Sequence, residues 1–338
     1  MNIVVTGGCG YIGSHTVVDL IQRKHNVIIL DNLINSDIEV LNKIQEITGI
    51  KPIFYNVDVC NYNKVEEVFK NHDVDSIIHF AALKAVGQSV FLPLEYYDNN
   101  LNSLINMLKI VDKFQIRSFI FSSSATVYGN ELPSPLLEEY ENRKALNPYG
   151  YTKIFCEQIL NDYVIVNKEV AIGILRYFNP IGAHPSGIIG EVSKDIPNNL
   201  MPYISQVSVG TLPHLNVFGN DYDTKDGTCI RDYIHVCDLA RGHVDLIDYL
   251  NDKNGIHTFN LGTGNGTSVL EIIHAFEEAN NLKIPYNIVG RRAGDSKECF
   301  ADTKKAENIL NWHAEYNIVD MCRHAYNFQK KNPNGFKK

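Results

Sequence analysis

A single tryptophan in 338 residues, and cysteines that never fall in a C-x-x-C pair, set the first limits on this chain. The seven cysteines stand at 9, 60, 156, 229, 237, 299 and 322, a scatter that suggests neither a zinc site nor a disulfide framework, and no metal is expected. No apolar run approaches the length of a membrane span. No basic segment followed by a long apolar one opens the chain, since Met1 leads straight into Ile3-Val4-Val5. Positive charge is in deficit: the formal net charge of -8 disfavours nucleic acid or an anionic membrane surface as a partner. Internal repeats and low-complexity segments are also lacking. Asn265-Gly266-Thr267 has the form of a glycosylation sequon, but without a secretory signal it reads as a turn. The expected compartment is the cytosol.

What remains is an ordinary globular balance, 44% hydrophobic and 21% charged, long enough for two domains or one large one. Residues 2–6 read as a short buried strand, followed by Thr6-Gly7-Gly8-Cys9-Gly10-Tyr11-Ile12-Gly13 and a helical pattern to about residue 24. A second strand, Val27-Ile28-Ile29-Leu30, ends at Asp31. Glycines at 7, 10 and 13 permit a tight turn and let backbone N–H groups approach a pyrophosphate at the helix N-terminus. Asp31 is placed to accept both ribose hydroxyls of NAD and to repel a 2′-phosphate. The spacing G-x-x-G-x-x-G is one residue longer than the commoner fingerprint, so its place between two strands carries the argument.

Strands and helices go on alternating: strands at 52–57, 76–82, 117–121 and 171–175, with helices at 62–71 and about 97–114. Such alternation implies a parallel sheet covered on both faces, with ligand residues at the carboxyl ends of its strands. Asp31, Asp58, Ala81, Ser122 and Ser124 all fall there. Another helix starts at Asn147-Pro148, a capping residue followed by proline at the first helical position. Phe155, Ile159, Tyr163 and Val166 recur at helical spacing and are expected to form its buried face. Tyr149 and Lys153 lie one turn apart on one side of it. A free phenol, with a pKa of about 10, is a poor base at neutral pH. An ammonium beside it favours the phenolate, which makes the pair a candidate proton acceptor and donor for an alcohol. An isolated Tyr-x-x-x-Lys is more often just an exposed pair on a helix; the surrounding chain gives this one its weight.

Thr6-Gly7-Gly8-x-Gly10-Tyr11-Ile12-Gly13, Ser124 and Tyr149-x-x-x-Lys153 together resemble the extended short-chain dehydrogenase/reductase family. Further segments narrow the likeness to its UDP-glucose (UDP-galactose) 4-epimerases. They include Asp31-Asn32-Leu33, the stretch from His79 to Gly87, Pro93-Leu94-Glu95-Tyr96-Tyr97-Asp98-Asn99-Asn100, Phe121 to Gly129, Arg176 to Pro185, Asn198 to Tyr203, Phe218 to Tyr222, and Gly227-Thr228-x-x-Arg231-Asp232-Tyr233. The likeness runs from residue 1 to about 325.

The fold it implies is α/β. A Rossmann-type doubly wound parallel sheet over residues 1–180 would bind NAD, with a later strand near 257–261 returning to it. A smaller mixed α/β region over 181–338 would bind the UDP-sugar. The activity implied is that of an isomerase in galactose metabolism, inverting C4 of a UDP-hexose through a 4-keto sugar with NAD kept bound.

For the cofactor the resemblance implies Gly7, Gly10, Tyr11, Ile12 and Gly13 at the loop, and Asp31, Asn32, Asn35 and Ser36 after the second strand. Asp58 and Val59 follow the third. Phe80, Ala81, Ala82, Lys84 and Asn99 come next, then Ser122, Ser124, Tyr149, Lys153, Tyr177 and Phe178. Tyr149 would be the base, its pKa lowered by Lys153 and by the nicotinamide charge. Lys153 would also bond the nicotinamide ribose, and Ser124 would relay the proton. Which of Ser122, Ser123 and Ser124 acts is set by family register, not by visible chemistry. For the substrate the resemblance implies Arg231 and Arg292 at the diphosphate and Asp295 at the ribose, with Asn179, Asn199, Leu200, Asn216, Phe218 and Tyr233 lining the rest. Cys299 would lie beside the sugar's 2-substituent, a small residue where some relatives carry Tyr, which implies room for N-acetylated sugars. The helices from Tyr97 and Pro148 would pair across a two-fold axis in a homodimer. A nucleotide-sugar 4,6-dehydratase would need an acidic pair where this chain has Ala125-Thr126, and a non-catalytic NAD-sensing regulator would be expected to lack Tyr149 or Lys153. Residues 267–280 read as an amphipathic helix, and the basic tail after Phe328 as frayed.

Overall fold

A computed structural model describes residues 1–338 apart from 141, 142, 194, 195, 293, 337 and 338. The first half runs β1 (Asn2–Thr6), α1 (Tyr11–Gln22), β2 (Asn26–Asp31), α2 (Glu39–Thr48), β3 (Ile53–Asn56), α3 (Tyr62–Lys70), β4 (Ser76–His79), α4 (Val86–Phe91), α5 (Pro93–Phe114), β5 (Ser118–Ser124), a 3-10 turn (Ala125–Tyr128), α6 (Pro148–Val166) and β6 (Ala171–Tyr177). The second half runs β7 (Asn179–Ile181), α7 (Leu200–Ser208), β8 (Leu215–Phe218), β9 (Ile230–His235), α8 (Val236–Leu250), β10 (Gly255–Leu261), β11 (Gly266–Ser268), α9 (Val269–Asn280), β12 (Tyr286–Val289), β13 (Glu298–Cys299), α10 (Lys304–Leu310) and α11 (Ile318–Lys331).

Seven parallel strands form the main sheet in the order β10-β6-β5-β4-β1-β2-β3. The chain lays down β1, β2 and β3 to one side and then returns past β1 to place β4. The crevice beyond the carboxyl ends of β1 and β4 is therefore the switch point, where such sheets bind ligands. The strands are near-continuous apolar runs because both faces are covered. One layer packs Val17, Leu20, Val40, Ile44 and Leu246 from α1, α2 and α8 against the sheet. The opposite layer packs Val65, Met107, Ile110, Cys156 and Leu160 from α3, α5 and α6. The expected return of the chain near residue 257 is β10, which pairs with β6. Helices α2, α4 and α8 have no counterpart among the expected elements.

The smaller region centres on β9, which pairs with β11, β13 and β7. β12 and β8 form a separate parallel pair. Met201, Ile204, Val217, Tyr233, Phe276 and Met321 share the core beneath them. The expected helix over 267–280 is α9, whose Ser268 and Glu271 close a capping box. The tail is not frayed where expected. α11 continues to Lys331, Phe328 and Gln329 are buried, and Phe336 packs on Phe328 at 5.9 Å. Lys331 donates to the Ser186 carbonyl at 2.7 Å, so the basic end is tied down by the loop after β7. No helix among the described residues is long and apolar enough to cross a membrane.

Four histidines lie in this interior: His15 on α1, His79 on β4, His235 on β9 and His243 on α8. Burial pulls their pKa values down to about 3, 3, 2 and 4 respectively. Unfolded, each titrates near about 6.5, so below that pH the unfolded chain binds more protons than the folded one. Stability is then fully present above about pH 6.5 and falls as the pH drops toward the folded values, by up to about 1.4 kcal/mol per pH unit for each histidine. Urea midpoints at pH 7.5, 6.0 and 5.0 should decline already above the usual carboxylate range; equal midpoints at all three would contradict this.

Candidate active site

The glycine loop sits at the switch point with no room to spare. Gly7 has φ 68°, and a Cβ there would lie 2.9 Å from the Ala81 nitrogen. A Cβ on Gly13 would lie 2.3 Å from the Gly7 carbonyl oxygen, which presses α1 close against β1. Gly10 stands at the N-cap of α1, and no side chain caps the helix. The first-turn N–H groups of Tyr11, Ile12 and Gly13 therefore face outward for an anion. Asp31, buried at the end of β2, accepts from the Cys9 N–H at 3.0 Å, the Leu33 N–H at 2.9 Å and the Ser36 hydroxyl at 2.8 Å. Its carboxylate thus braces both the glycine loop and the segment carrying Asn35 and Ser36. Asn32 donates to Asp58 at 3.1 Å, bringing the ends of β2 and β3 together beside Val59. After β4, the Phe80 and Ala81 N–H groups bond Thr6 at 3.1 and 3.2 Å, with Ala82 next in line. Lys84 pairs with Glu191 at 3.5 Å. Asn99 bonds Asn100, whose amide donates to the Leu83 carbonyl and to the Thr152 hydroxyl, both at 3.0 Å. An uncapped helix start, a cradle that a Cβ would fill and an acid at the second strand's end together fit a dinucleotide such as NAD.

α6 begins as its sequence implies: Asn147 accepts from the Gly150 N–H at 2.9 Å, and Pro148 takes the first helical position. Its inner face is not the expected one. Phe155 is 43% exposed and Val166 78%, with Ile159 and Tyr163 only partly covered. The buried residues are Thr152, Lys153, Cys156, Glu157 and Leu160. The helix therefore turns its polar functional side inward and part of its apolar stripe outward, the reverse of a surface helix on a lone domain.

On that inner side the Tyr149 phenol faces Ser124, whose Oγ accepts from the Thr126 N–H at 3.2 Å. Lys153 Nζ donates to the Ser122 carbonyl at 2.6 Å and lies 5.8 Å from the centre of the Tyr149 ring. The three serines, equivalent by sequence, now differ. Ser123 donates to Glu157 at 2.6 Å, Ser122 faces Tyr177, and Ser124 alone faces the Tyr149 phenol. Tyr177 in turn donates to His243 Nε2 at 3.0 Å, whose Nδ1 faces the Leu239 carbonyl at 2.8 Å. The expected lowering of the Tyr149 pKa by Lys153 is not what this geometry produces. Burial pushes the phenol up to about 12, opposed by the neighbouring Ser124 hydroxyl, while Lys153 donates one of its N–H groups to a carbonyl. Burial pulls Lys153 itself down to about 8.

In the smaller region Arg231 on β9 donates to the Ile230 and Ser296 carbonyls at 2.8 and 3.0 Å and approaches Asp295 at 3.7 Å. Arg292 grips the same Asp295 with two bonds, at 3.2 and 2.8 Å, and lies over the Phe218 ring. Arg291 is drawn elsewhere, to Asp221 at 2.7 Å and the Tyr222 ring. Two cations, an acid and the exposed Phe218 ring therefore converge. Asn216 precedes Phe218 on β8, while Asn199 caps α7 ahead of Leu200 without a side-chain bond. Exposed Asn179 pairs in register with Tyr233, whose ring is buried in the core. Cys299 pairs with Arg231 and packs in the cluster of Ala125, Tyr128 and Phe178, joining the polar half to the Ser124 turn. Sequence reasoning missed Glu157, though it continues the one-turn steps of Tyr149 and Lys153 along α6.

Residues 4–325 match the family model described as GDP-mannose 4,6 dehydratase. The chain is 49% identical to the UDP-glucose 4-epimerase of Bacillus subtilis over 337 residues, covering 100% of this chain and 99% of that one. It is 50% identical to the UDP-glucose 4-epimerase of Dictyostelium discoideum, covering 99% and 97%. The crystal structure of UDP-glucose 4-epimerase from Bifidobacterium longum in complex with NAD+ and UDP superposes with a TM-score of 0.96 at 50% identity, over 99% of this chain and 100% of that one. With full-length matches of this kind and the glycine loop, Ser124, Tyr149 and Lys153 in one crevice, the chain belongs to the UDP-glucose 4-epimerase family of extended short-chain dehydrogenases/reductases.

Proposed function

We propose that this protein interconverts UDP-galactose and UDP-glucose by inverting C4 of the hexose, with NAD held through the cycle. The observation that carries this reading is the Tyr149 phenol facing Ser124 beside Lys153, at the carboxyl end of β5 in the crevice shared with the glycine loop. NAD would be held by the loop at Gly7, Gly10 and Gly13, with Asp31 at the adenosine ribose, and would supply the acceptor and donor for the C4 hydride. Tyr149 takes the proton of the 4-hydroxyl and returns it, and Ser124 steers that proton. Arg231 and Arg292 hold the diphosphate through charge-assisted bonds. Asp295 meets the ribose, and Phe218 offers its face to the base. Most of the binding energy then lies in the UDP, which leaves the sugar free to present either face. Residues 1–180, joined by the returning β10, carry the cofactor, and the rest carries the UDP-sugar. A 4,6-dehydratase lacks support, because Ala125 and Thr126 offer no acid at the turn after Ser124.

The outward stripe of α6 supports a homodimer. Phe155 is 43% exposed and packs on Tyr97 of α5 at 5.9 Å, so the two helices present one apolar face. A two-fold axis through that face would cover it isologously. Light scattering at micromolar concentration should give twice the chain mass, and a monomer would speak against the pairing.

Replacing Tyr149 by Phe should lower turnover of UDP-galactose by at least ~100-fold, the low end for general acid–base catalysis. NAD should stay bound, as checked by acid release and absorbance. Near-normal turnover would move the base to Ser124.

Cys299 leaves more volume beside Ala125 and Phe178 than a phenol ring would. The protein should therefore also turn over UDP-N-acetylgalactosamine, and Cys299→Tyr should abolish that activity while keeping most of the activity on UDP-galactose. A parent inert toward the N-acetyl sugar would refute this.

A further inference from the structure

Three successive residues at the end of β5 are each gripped by one turn of α6. Tyr149 faces Ser124, Lys153 donates to the Ser122 carbonyl at 2.6 Å, and Glu157 accepts from the Ser123 hydroxyl at 2.6 Å. The third grip is the most deeply set. Glu157 is 1% exposed, and Arg176 of β6 clasps it with two bonds, at 3.0 and 2.8 Å, while Arg143 reaches it from the preceding loop. The remaining reach of Arg176 goes to the Tyr128 hydroxyl at 2.9 Å, the last residue of the 3-10 turn that Ser124 opens, and to the Glu138 carbonyl at 3.0 Å. Ser124 is therefore held from both sides, through Ser123 and through Tyr128. A lone buried charge would be very costly, but this one is paired twice and hydrogen-bonded, so the network acts as a rigid unit.

We infer that Glu157 is a positioning residue for the epimerase reaction: with Arg176 it locks the end of β5 against α6, so that Ser124 meets Tyr149 and Lys153 stays on the Ser122 carbonyl. This rests on the reading in which Ser124 and Tyr149 move the proton. Electrostatics agree with the geometry. Burial pulls Lys153 down, and Cys156 and Glu157 oppose it. From β4, buried His79 faces the same ammonium, held neutral by burial and by Lys153. Burial pushes the Glu157 carboxyl up, yet the bonds and charge of Arg176, with Arg143 and Ser123, outweigh it and hold it below its ordinary value. Glu157 thus stays ionised at neutral pH and supports the cationic form of Lys153.

The test compares Glu157→Gln and Ser123→Ala with the parent holoenzyme. It uses steady-state kinetics on UDP-galactose and NMR titration of 13Cε-labelled lysine, with Lys153→Met serving only for assignment. Glu157→Gln should lose about 10- to 100-fold in kcat, as expected for a small misplacement of reacting groups, with KM changed far less. Its Lys153 should titrate at a lower pH than in the parent. Ser123→Ala cuts only the strand–helix bond; it should lower kcat about tenfold while Lys153 titrates as in the parent. If Glu157→Gln does not fold, Ser123→Ala decides alone, and parental kcat in that variant would overturn the inference. So would Glu157→Gln that folds but keeps the parent's Lys153 midpoint and loses activity only in proportion to unfolded protein. A parent that fails to convert UDP-galactose would sink the functional reading instead, and the lysine titration would still decide on Glu157.

Discussion

The contact between α6 and the end of β5 is the constraint on which the rest depends. A strand that ends in three serines has no side-chain bulk to fix its own position. α6 supplies the fixing from outside, with a phenol, an ammonium and a carboxylate at one-turn spacing, each on a different serine. Helical geometry makes such a ladder rigid, because residues four apart lie on one side of the helix. The cost is that three polar groups face the interior. The sheet accommodates them by giving each a partner: a hydroxyl, a carbonyl and a guanidinium. This is also why part of the apolar stripe of α6 turns outward.

The same economy governs the glycine loop. Gly7, Gly10 and Gly13 leave no side chain between the start of α1 and whatever approaches it, and Asp31 ties the loop to the segment after β2. One carboxylate thus sets the walls of the nucleotide end. In the smaller region Asp295 does comparable work by gathering Arg231 and Arg292. Between these fixed ends lies the Ser124 turn, walled by Ala125, Phe178 and Cys299, which offers few polar groups. A site that grips both ends of its contents and little of the middle suits a sugar that must show either face.

Much of this was legible in residue order, and the parts that were not have physical reasons. The alternation of strands and helices, the glycine spacing, Asp31 and the Asn147-Pro148 start are local signals, and they survive folding because each depends on neighbours in sequence. The inner face of α6 is not local. Periodicity at Phe155 and Val166 marks an apolar stripe correctly but says nothing about which way it points, and here a buried ion pair sets the direction. Glu157 was missed because a buried carboxylate makes sense only once Arg176 and Arg143, from other parts of the chain, are beside it. The basic tail misled in the same way, since Phe328 and Phe336 find their partners only in three dimensions. The place of β10 beside β6, by contrast, agrees with the returning strand that the resemblance implied.

The ionisation of Tyr149 follows from this burial and not from the Tyr-x-x-x-Lys pattern. A phenol pushed up to about 12 is almost wholly protonated at neutral pH, and the neighbouring ammonium, itself drawn down to about 8, is engaged with a backbone oxygen. Spacing alone does not make a base. What the protein's own residues provide is a phenol aimed at Ser124, a cation within one turn and a low-dielectric wall, so that any positive charge brought close to the ring acts on it at high strength.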